Sequence, residues 1–275
     1  MKKHSILVAI DFSDSSEIVL KKALKLSINK GWDIYVTHII ERGFFGIETD
    51  FDTAKKNCIS FLEQKFPQIK HSHFYCIEGD IKAEILKLAE NLAVNLIVLG
   101  SSGESFSLEK LLLGSTTKKI IRESSVPVLV VKNEDEPLYR NIVIPTDFTD
   151  ASKKVVENTA NLFPESLLKL LHLYSVPFEG RLNIYGFDKS SALDFSRQIG
   201  IEQEFQCKEF VKHLHVNKDK IQSIVKKGIL NVKYFGDDGW LFDSDLVVLH
   251  TTGSLSFFAF DLLESSTKDV IIYKM

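Results

Sequence analysis

The chain repeats itself with a period near 140 residues. The segment ILVAIDFSDSS at 6–16 returns as IVIPTDFTDAS at 142–152, identical at five of eleven positions. NLIVLGSSG at 95–103 returns as DLVVLHTTG at 245–253. A period of this length is too long for a solenoid unit and reads as two similar domains, which suits a chain of 275 residues. The expected boundaries are 1–132, a polar proline-bearing linker at 133–140, and 141–275.

Within the first copy, apolar runs alternate with segments of helical period. Strands are expected near 5–10, 33–40, 72–77, 95–100 and 127–131, and helices near 14–29, 50–65, 81–93 and 115–123. The runs at 7–10, 96–99 and 128–131 are hydrophobic throughout, as parallel strands buried on both faces are. Alternation of this kind predicts an open, doubly wound α/β sheet with right-handed crossovers.

Ligands of such sheets sit outside the carboxyl ends of the strands, where strand order reverses. Asp11 follows the first strand, Gly100-Ser101-Ser102-Gly103 follows the fourth, and Gly114-Ser115-Thr116 opens the next helix. Glycines admit close backbone approach, and a helix start presents N–H groups and a positive dipole end to an anion. A carboxylate suits a ribose hydroxyl or a base amine better than a phosphate. The set therefore points to a nucleotide. Taken singly, a G-x-x-G is ordinarily a turn and a Gly-Ser-Thr ordinarily an N-cap. The conjunction at one sheet edge carries the reading. Neither G-x-x-x-x-G-K-S/T nor G-x-G-x-x-G after the first strand is present.

A net charge of −3 offers no basic field for nucleic acid or acidic membranes. No apolar run approaches the ~20 residues that span a bilayer. The run at 6–10 behind Met1-Lys2-Lys3 is too short for a signal peptide, so a cytoplasmic protein is expected. Cys58, Cys76 and Cys207 are far apart and form no C-x-x-C, which argues against a disulfide framework and a cysteine zinc site.

The series VAIDFS, THII, IEGDIKAEI, NLIVLGSSG, LGSTT and SVPVLVV resembles the universal stress protein family over the first ~132 residues. The second half resembles a diverged copy, making a tandem form. The resemblance implies two flavodoxin-like, five-stranded parallel sheets. It also implies ATP or AMP, with or without Mg2+, held through G-x2-G-x9-G-S/T. Gly100, Gly103, Gly114 and Ser115 take the motif positions, with Ser102 and Thr116 beside them, and the spacer at 104–113 holds ten residues. It further places Asp11 and Ala9 on the adenosine and the Ile39 backbone on the adenine edge. Family dimers pair their fifth strands antiparallel, so 127–131 would meet 270–273 in an intrachain pseudo-dimer, with a homodimer as the alternative.

At an offset of 150, Gly100 becomes His250 and Gly114 becomes Glu264. At the final strand the offset is 142, which predicts a final helix shortened by roughly two turns. Asp147 remains, but one nucleotide per chain is expected, in the first copy. The aromatic-rich stretch holding Phe178, Tyr185, Phe187, Phe195, Phe205 and Phe210 reads as a longer helix with core aromatics, or as a ligand or partner surface. His71-Ser72-His73 and His213-Leu214-His215, if on strands, each put two imidazoles on one face; solvated strand-edge histidines are the reading preferred over a metal site. His38 and His172 read as hydrogen-bonded core residues. No catalytic residue is assigned. The leading function is regulatory nucleotide binding with an unidentified protein partner; a slow ATP hydrolase and an interaction module without nucleotide are the alternatives.

Overall fold

The apolar runs form the strands and the amphipathic segments between them form the helices. The structure, a computed structural model, describes residues 3–41, 50–101, 114–135, 138–228, 244–251 and 257–275. In the first copy these are β1 (Ser5–Ala9), α1 (Asp14–Lys30), β2 (Asp33–Ile40), α2 (Phe51–Lys65), β3 (Phe74–Glu78), α3 (Ile81–Asn91), β4 (Leu96–Gly100), α4 (Ser115–Glu123) and β5 (Val128–Val131). In the second they are β6 (Asn141–Pro145), α5 (Asp150–Leu162), β7 (Leu167–Tyr174), α6 (Lys189–Lys212), β8 (Ile221–Lys227), β9 (Leu246–Thr251), α7 (Phe257–Ser265) and β10 (Asp269–Lys274).

The chain divides into two compact units, Met1–Leu138 with Thr251–Met275, and Tyr139–His250. In the first, five parallel strands run in the order β3-β2-β1-β4-β5. From β1 the chain steps one way to β2 and β3 and the other way to β4 and β5. With right-handed crossovers, this puts helices on both faces and a crevice beside β1. β10 adds antiparallel to β5, with Val270 opposite Val130 and Ile272 opposite Val128. In the second unit β9, β6, β7 and β8 are parallel neighbours in that order.

Helix starts follow local chemistry. Ser13, Asp50, Asp80, Thr149 and Asp188 each cap a helix by accepting from a first-turn backbone N–H. Gly31, at φ +66°, ends α1, where a left-handed residue closes the last turn.

Three expectations are corrected. α7 has nine residues, as α4 has. The offset is 150 from β4 to β9 but already 142 from α4 to α7, so the missing residues fall between β9 and α7 and the helix keeps its length. Glu264 therefore lies in the last turn of α7, where it pairs with Lys118 at 2.6 Å, and is not the counterpart of Gly114. Neither H-x-H sits on a strand. His71–His73 is a 3-10 turn ahead of β3, and His213 is the C-cap of α6. The longer helix in the second copy is present as α6, with Phe210 buried, but Phe178 (66% exposed), Tyr185, Phe187 and Phe205 (58%) face solvent.

Candidate functional site

Past the end of β1, Ile10 donates its N–H to Thr37 O of β2 at 3.0 Å, and the chain then turns at Asp11-Phe12-Ser13. Asp11 accepts from the Ser13 backbone (3.1 Å) and hydroxyl (2.5 Å). Ser13 in turn caps α1 through Ser16 N. Burial opposes ionisation of Asp11, but bonds from the Ser13 side chain and backbone and the Ser16 side chain outweigh it and hold its pKa below the ordinary value. Phe12 takes φ +63°, a conformation that costs a bulky residue energy. Its ring is held edge-on to His38 at 4.8 Å and Phe61 at 5.3 Å. His38 Nδ1 donates to Ile10 O at 2.9 Å, the core hydrogen bond expected of that histidine.

Across the crevice, Gly114 N donates to Ser101 O at 2.8 Å and Thr117 Oγ1 to Gly100 O at 3.2 Å, seating the start of α4 against the end of β4. The N-cap of α4 is Gly114, which has no side chain to serve the first-turn N–H groups. Each of the other α-helices with a described N-cap uses a side chain for this. An uncapped N-terminus keeps its donors and dipole for a ligand. Gly114 has φ −58°, so its glycine is not demanded by backbone conformation.

These parts line one cavity of about 310 Å³. Ala9, Asp11, Ile39, Gly100, Gly114, Ser115 and Thr116 are all in its wall. Ser102 and Gly103 lie outside the described residues. The sequence reading missed the apolar contribution of α3: Ile81 and Ile85 project into the cavity together with Ile120 of α4. Their helical spacing was visible, but it equally describes a core face. The cavity thus joins an apolar wall, a carboxylate, several Ser and Thr hydroxyls and a helix N-terminus. That combination can take a ligand with a flat apolar part, a hydroxylated middle and an anionic end.

The counterpart in the second unit keeps the turn. Asp147 accepts from Thr149 N (3.1 Å), Thr149 Oγ1 (2.6 Å) and Ser152 Oγ (2.6 Å). Phe148, at φ +64°, stacks on His172 at 4.1 Å. His172 Nδ1 donates to Thr146 O at 2.8 Å. β9 meets β6 with Leu246 opposite Ile142, as β4 meets β1 with Leu96 opposite Ile6. His250 therefore stands where the first copy has Gly100. Burial lowers its pKa against the pull of the Asp147 charge.

The model of the universal stress protein family matches residues 3–132. Universal stress protein A homolog 1 of Coxiella burnetii is 30% identical over 140 residues, covering 47% of this chain and 95% of that protein. The chain belongs to the universal stress protein family. Universal stress protein MJ0577 of Methanocaldococcus jannaschii is 29% identical over 155 residues, covering 47% of this chain and 95% of that protein. Two solved structures share the fold along almost the whole of this universal stress protein. One is from Archaeoglobus fulgidus (TM-score 0.63, 19% identity, 98% of this chain and 96% of that one). The other is the functionally unknown protein PA1789 of Pseudomonas aeruginosa (TM-score 0.67, 14% identity, 99% and 92%). Among the described residues, no helix is long and apolar enough to cross a membrane.

Proposed function

We propose that this universal stress protein binds one adenine nucleotide, ATP or AMP, in the cleft of its first copy and acts as a cytoplasmic regulatory protein rather than a catalyst. The observation that carries the reading is the convergence of Asp11 and the uncapped start of α4 on one cavity. The phosphates lie over the N–H groups of Ser115 and Thr116 and their hydroxyls. The ribose hydroxyls meet Asp11, and the base lies on the apolar wall by Ala9 and Ile39. Mg2+, where present, arrives on the phosphates, since no cluster of three metal-ligating side chains exists among the described residues. Phosphoryl transfer needs a base and charge stabilisers, and the described lining contributes no Lys or Arg and no carboxylate beyond Asp11. A protein partner would read the nucleotide state. Because β10 already covers the open edge of β5, a second chain is not needed to protect it.

Calorimetry with ATP and AMP tests this. One equivalent is expected. Gly114→Glu should fold normally, since φ −58° suits any residue there, and should lose about 2 kcal/mol of binding or more, roughly 30-fold, from charge repulsion and lost backbone contacts. Two equivalents at saturation, or unchanged affinity in the folded variant, would overturn the assignment.

A further inference from the structure

The second unit carries an apolar surface along α6 and the loop that leads into it. Of the nine large hydrophobic residues exposed among the described residues, seven lie between 178 and 205. α2, the helix at the matching place in the first unit, has none of them. α6 turns one side inward: the Gln203 amide meets His172 Nε2 at 2.9 Å, and Cys207 and Phe210 are buried. At Gly200 the helix lies so close to β7 that a Cβ would stand 2.7 Å from the Tyr174 hydroxyl. The outer side is open. The Phe187 ring rests 5.7 Å from Phe195 in the second turn of α6, which joins the loop to the helix. Phe178, Tyr185, Phe187 and Phe205 are 37–66% exposed and, at about 200 Å² per ring side chain, bare on the order of 400 Å². Ile184, Leu193 and Ile201, each more than half exposed, bring the total close to the ~800 Å² that one partner buries in a standard interface. A lone protein rarely shows that much apolar surface in one region.

The order of residues on the outer side says what covers it. Asp194, Arg197, Ile201, Phe205 and Lys208 are all exposed, at −7, −4, 0, +4 and +7 from Ile201. At about 100° per residue they stay within about 40° of one line along the helix. Turned end for end about Ile201, this line complements itself. Asp194 comes opposite Lys208, Arg197 opposite Phe205 with Glu204 beside it, and Ile201 opposite Ile201. A guanidinium over a ring and an acid beside a base are both attractive. Within one chain Arg197 holds Asp194 at 3.2 Å, but that pair is largely exposed and contributes little by itself. We propose that α6 packs antiparallel on α6 of a second copy of this chain, across a two-fold axis at Ile201, with the loop at 178–187 widening the contact. A surface made for an unlike partner has no need to complement its own reversal, whereas a two-fold interface requires it. The pairing uses second-unit residues only, so it neither needs nor disturbs the nucleotide cleft.

The test uses the full chain without nucleotide. Sedimentation at about 100 µM should give twice the chain mass, since interfaces of standard size dissociate in the micromolar range or below. Ile201→Glu sets two carboxylates against each other on the axis. It should raise the dissociation constant by about tenfold or more, with unchanged helix content by circular dichroism. Asp194→Lys should weaken the dimer, and Asp194→Lys combined with Lys208→Asp should restore it. Ile201→Cys should give, on mild oxidation, a peptide linked to itself through position 201. Leu193→Cys should not, because its two copies would stand about 24 Å apart and a disulfide spans at most ~7 Å between Cα atoms. A wild-type chain that stays monomeric, a dimer that Ile201→Glu leaves intact, a double variant no tighter than Asp194→Lys, or a link at 193 in place of 201 would each overturn the proposal. The cross-link decides it even if a charged variant fails to fold.

Discussion

The turns after β1 and β6 are near copies, yet their surroundings differ. In each, an Asp binds the backbone N–H and hydroxyl of the residue two ahead, a Phe sits at φ +63° or +64°, and a histidine of the next strand bonds the carbonyl before the Asp. Beside the first turn stands Gly100; beside the second stands His250. The turn is therefore a folding device first, because it orients the cap of α1 or α5 wherever it occurs. On the function proposed above, it joins a binding site only where the neighbouring strand end leaves room and the start of a helix without a side-chain cap faces it. A repeated motif does not by itself mean a repeated site.

The copies differ most sharply at the end of the chain, where β10 joins the first unit. Lys22 of α1 pairs with Asp269 at 2.6 Å, with side chains only 5% and 1% exposed, and Asp269 also accepts from Lys132 N at 2.8 Å. The duplicated positions hold Asn158 for Lys22 and Pro127 for Asp269, so the pair has no twin. Asp269→Ala strands a buried ammonium and should cost about 3–5 kcal/mol in urea unfolding. A loss under ~1 kcal/mol would mean that the last strand is not an integral part of the first unit.

The next contrast is between Lys132 and its counterpart Lys274. Lys274 is exposed, whereas Lys132 is buried and its Nζ has no hydrogen-bond partner. Burial lowers the Lys132 pKa to about 8, against the favourable charges of Glu264 and Asp269. Its unfolded value is 10.5, so below pH 8 the unfolded chain holds the proton more readily and folding carries the whole penalty. From pH 8 to 10.5 that penalty is relieved and stability rises. Lys132→Met should stabilise the protein at pH 7 by about 3 kcal/mol, and its advantage over wild type should vanish by pH 10.5. A gap that stays constant across this range would sink the argument.

Much of this was legible before any coordinates. Strands buried on both faces announce themselves as continuous apolar runs, and β1, β2, β4 and β5 fall within a residue of their expected places. The wall of the cleft was legible for a topological reason: in a parallel sheet, residues just past strand ends share one edge, so Asp11, Gly100 and Gly114 converge. The location of the deletion was not legible. ESST at 264–267 resembles GSTT at 114–117, but Ser265 ends a helix while Ser115 begins one, and similarity of short polar runs carries no phase. The H-x-H motifs failed because alternation over three residues does not separate a strand from a tight turn. The exposed aromatics failed because residue type fixes burial only where a facing element exists.

The smallest effects test the twin turns directly. Asp11→Ala and Asp147→Ala should each cost about 1 kcal/mol of stability, because each removes acceptors for Ser or Thr groups that organise a helix cap. Both carboxyls are held below their ordinary pKa, where hydrogen bonds overcome the burial that opposes ionisation. A lowered carboxyl pKa contributes stability that is present above about pH 4 and lost as pH falls through the folded value, so each variant should approach wild type in acid. Nucleotide binding is where the two should part. Asp11→Ala should weaken ATP, ADP and AMP alike, by roughly tenfold for a lost charged hydrogen bond, and Asp147→Ala should weaken none of them. A loss confined to ATP would show Asp11 acting on a phosphate-bound metal and not on the ribose. Equal losses in the two variants would show that the second turn still faces a nucleotide and that His250 does not block it.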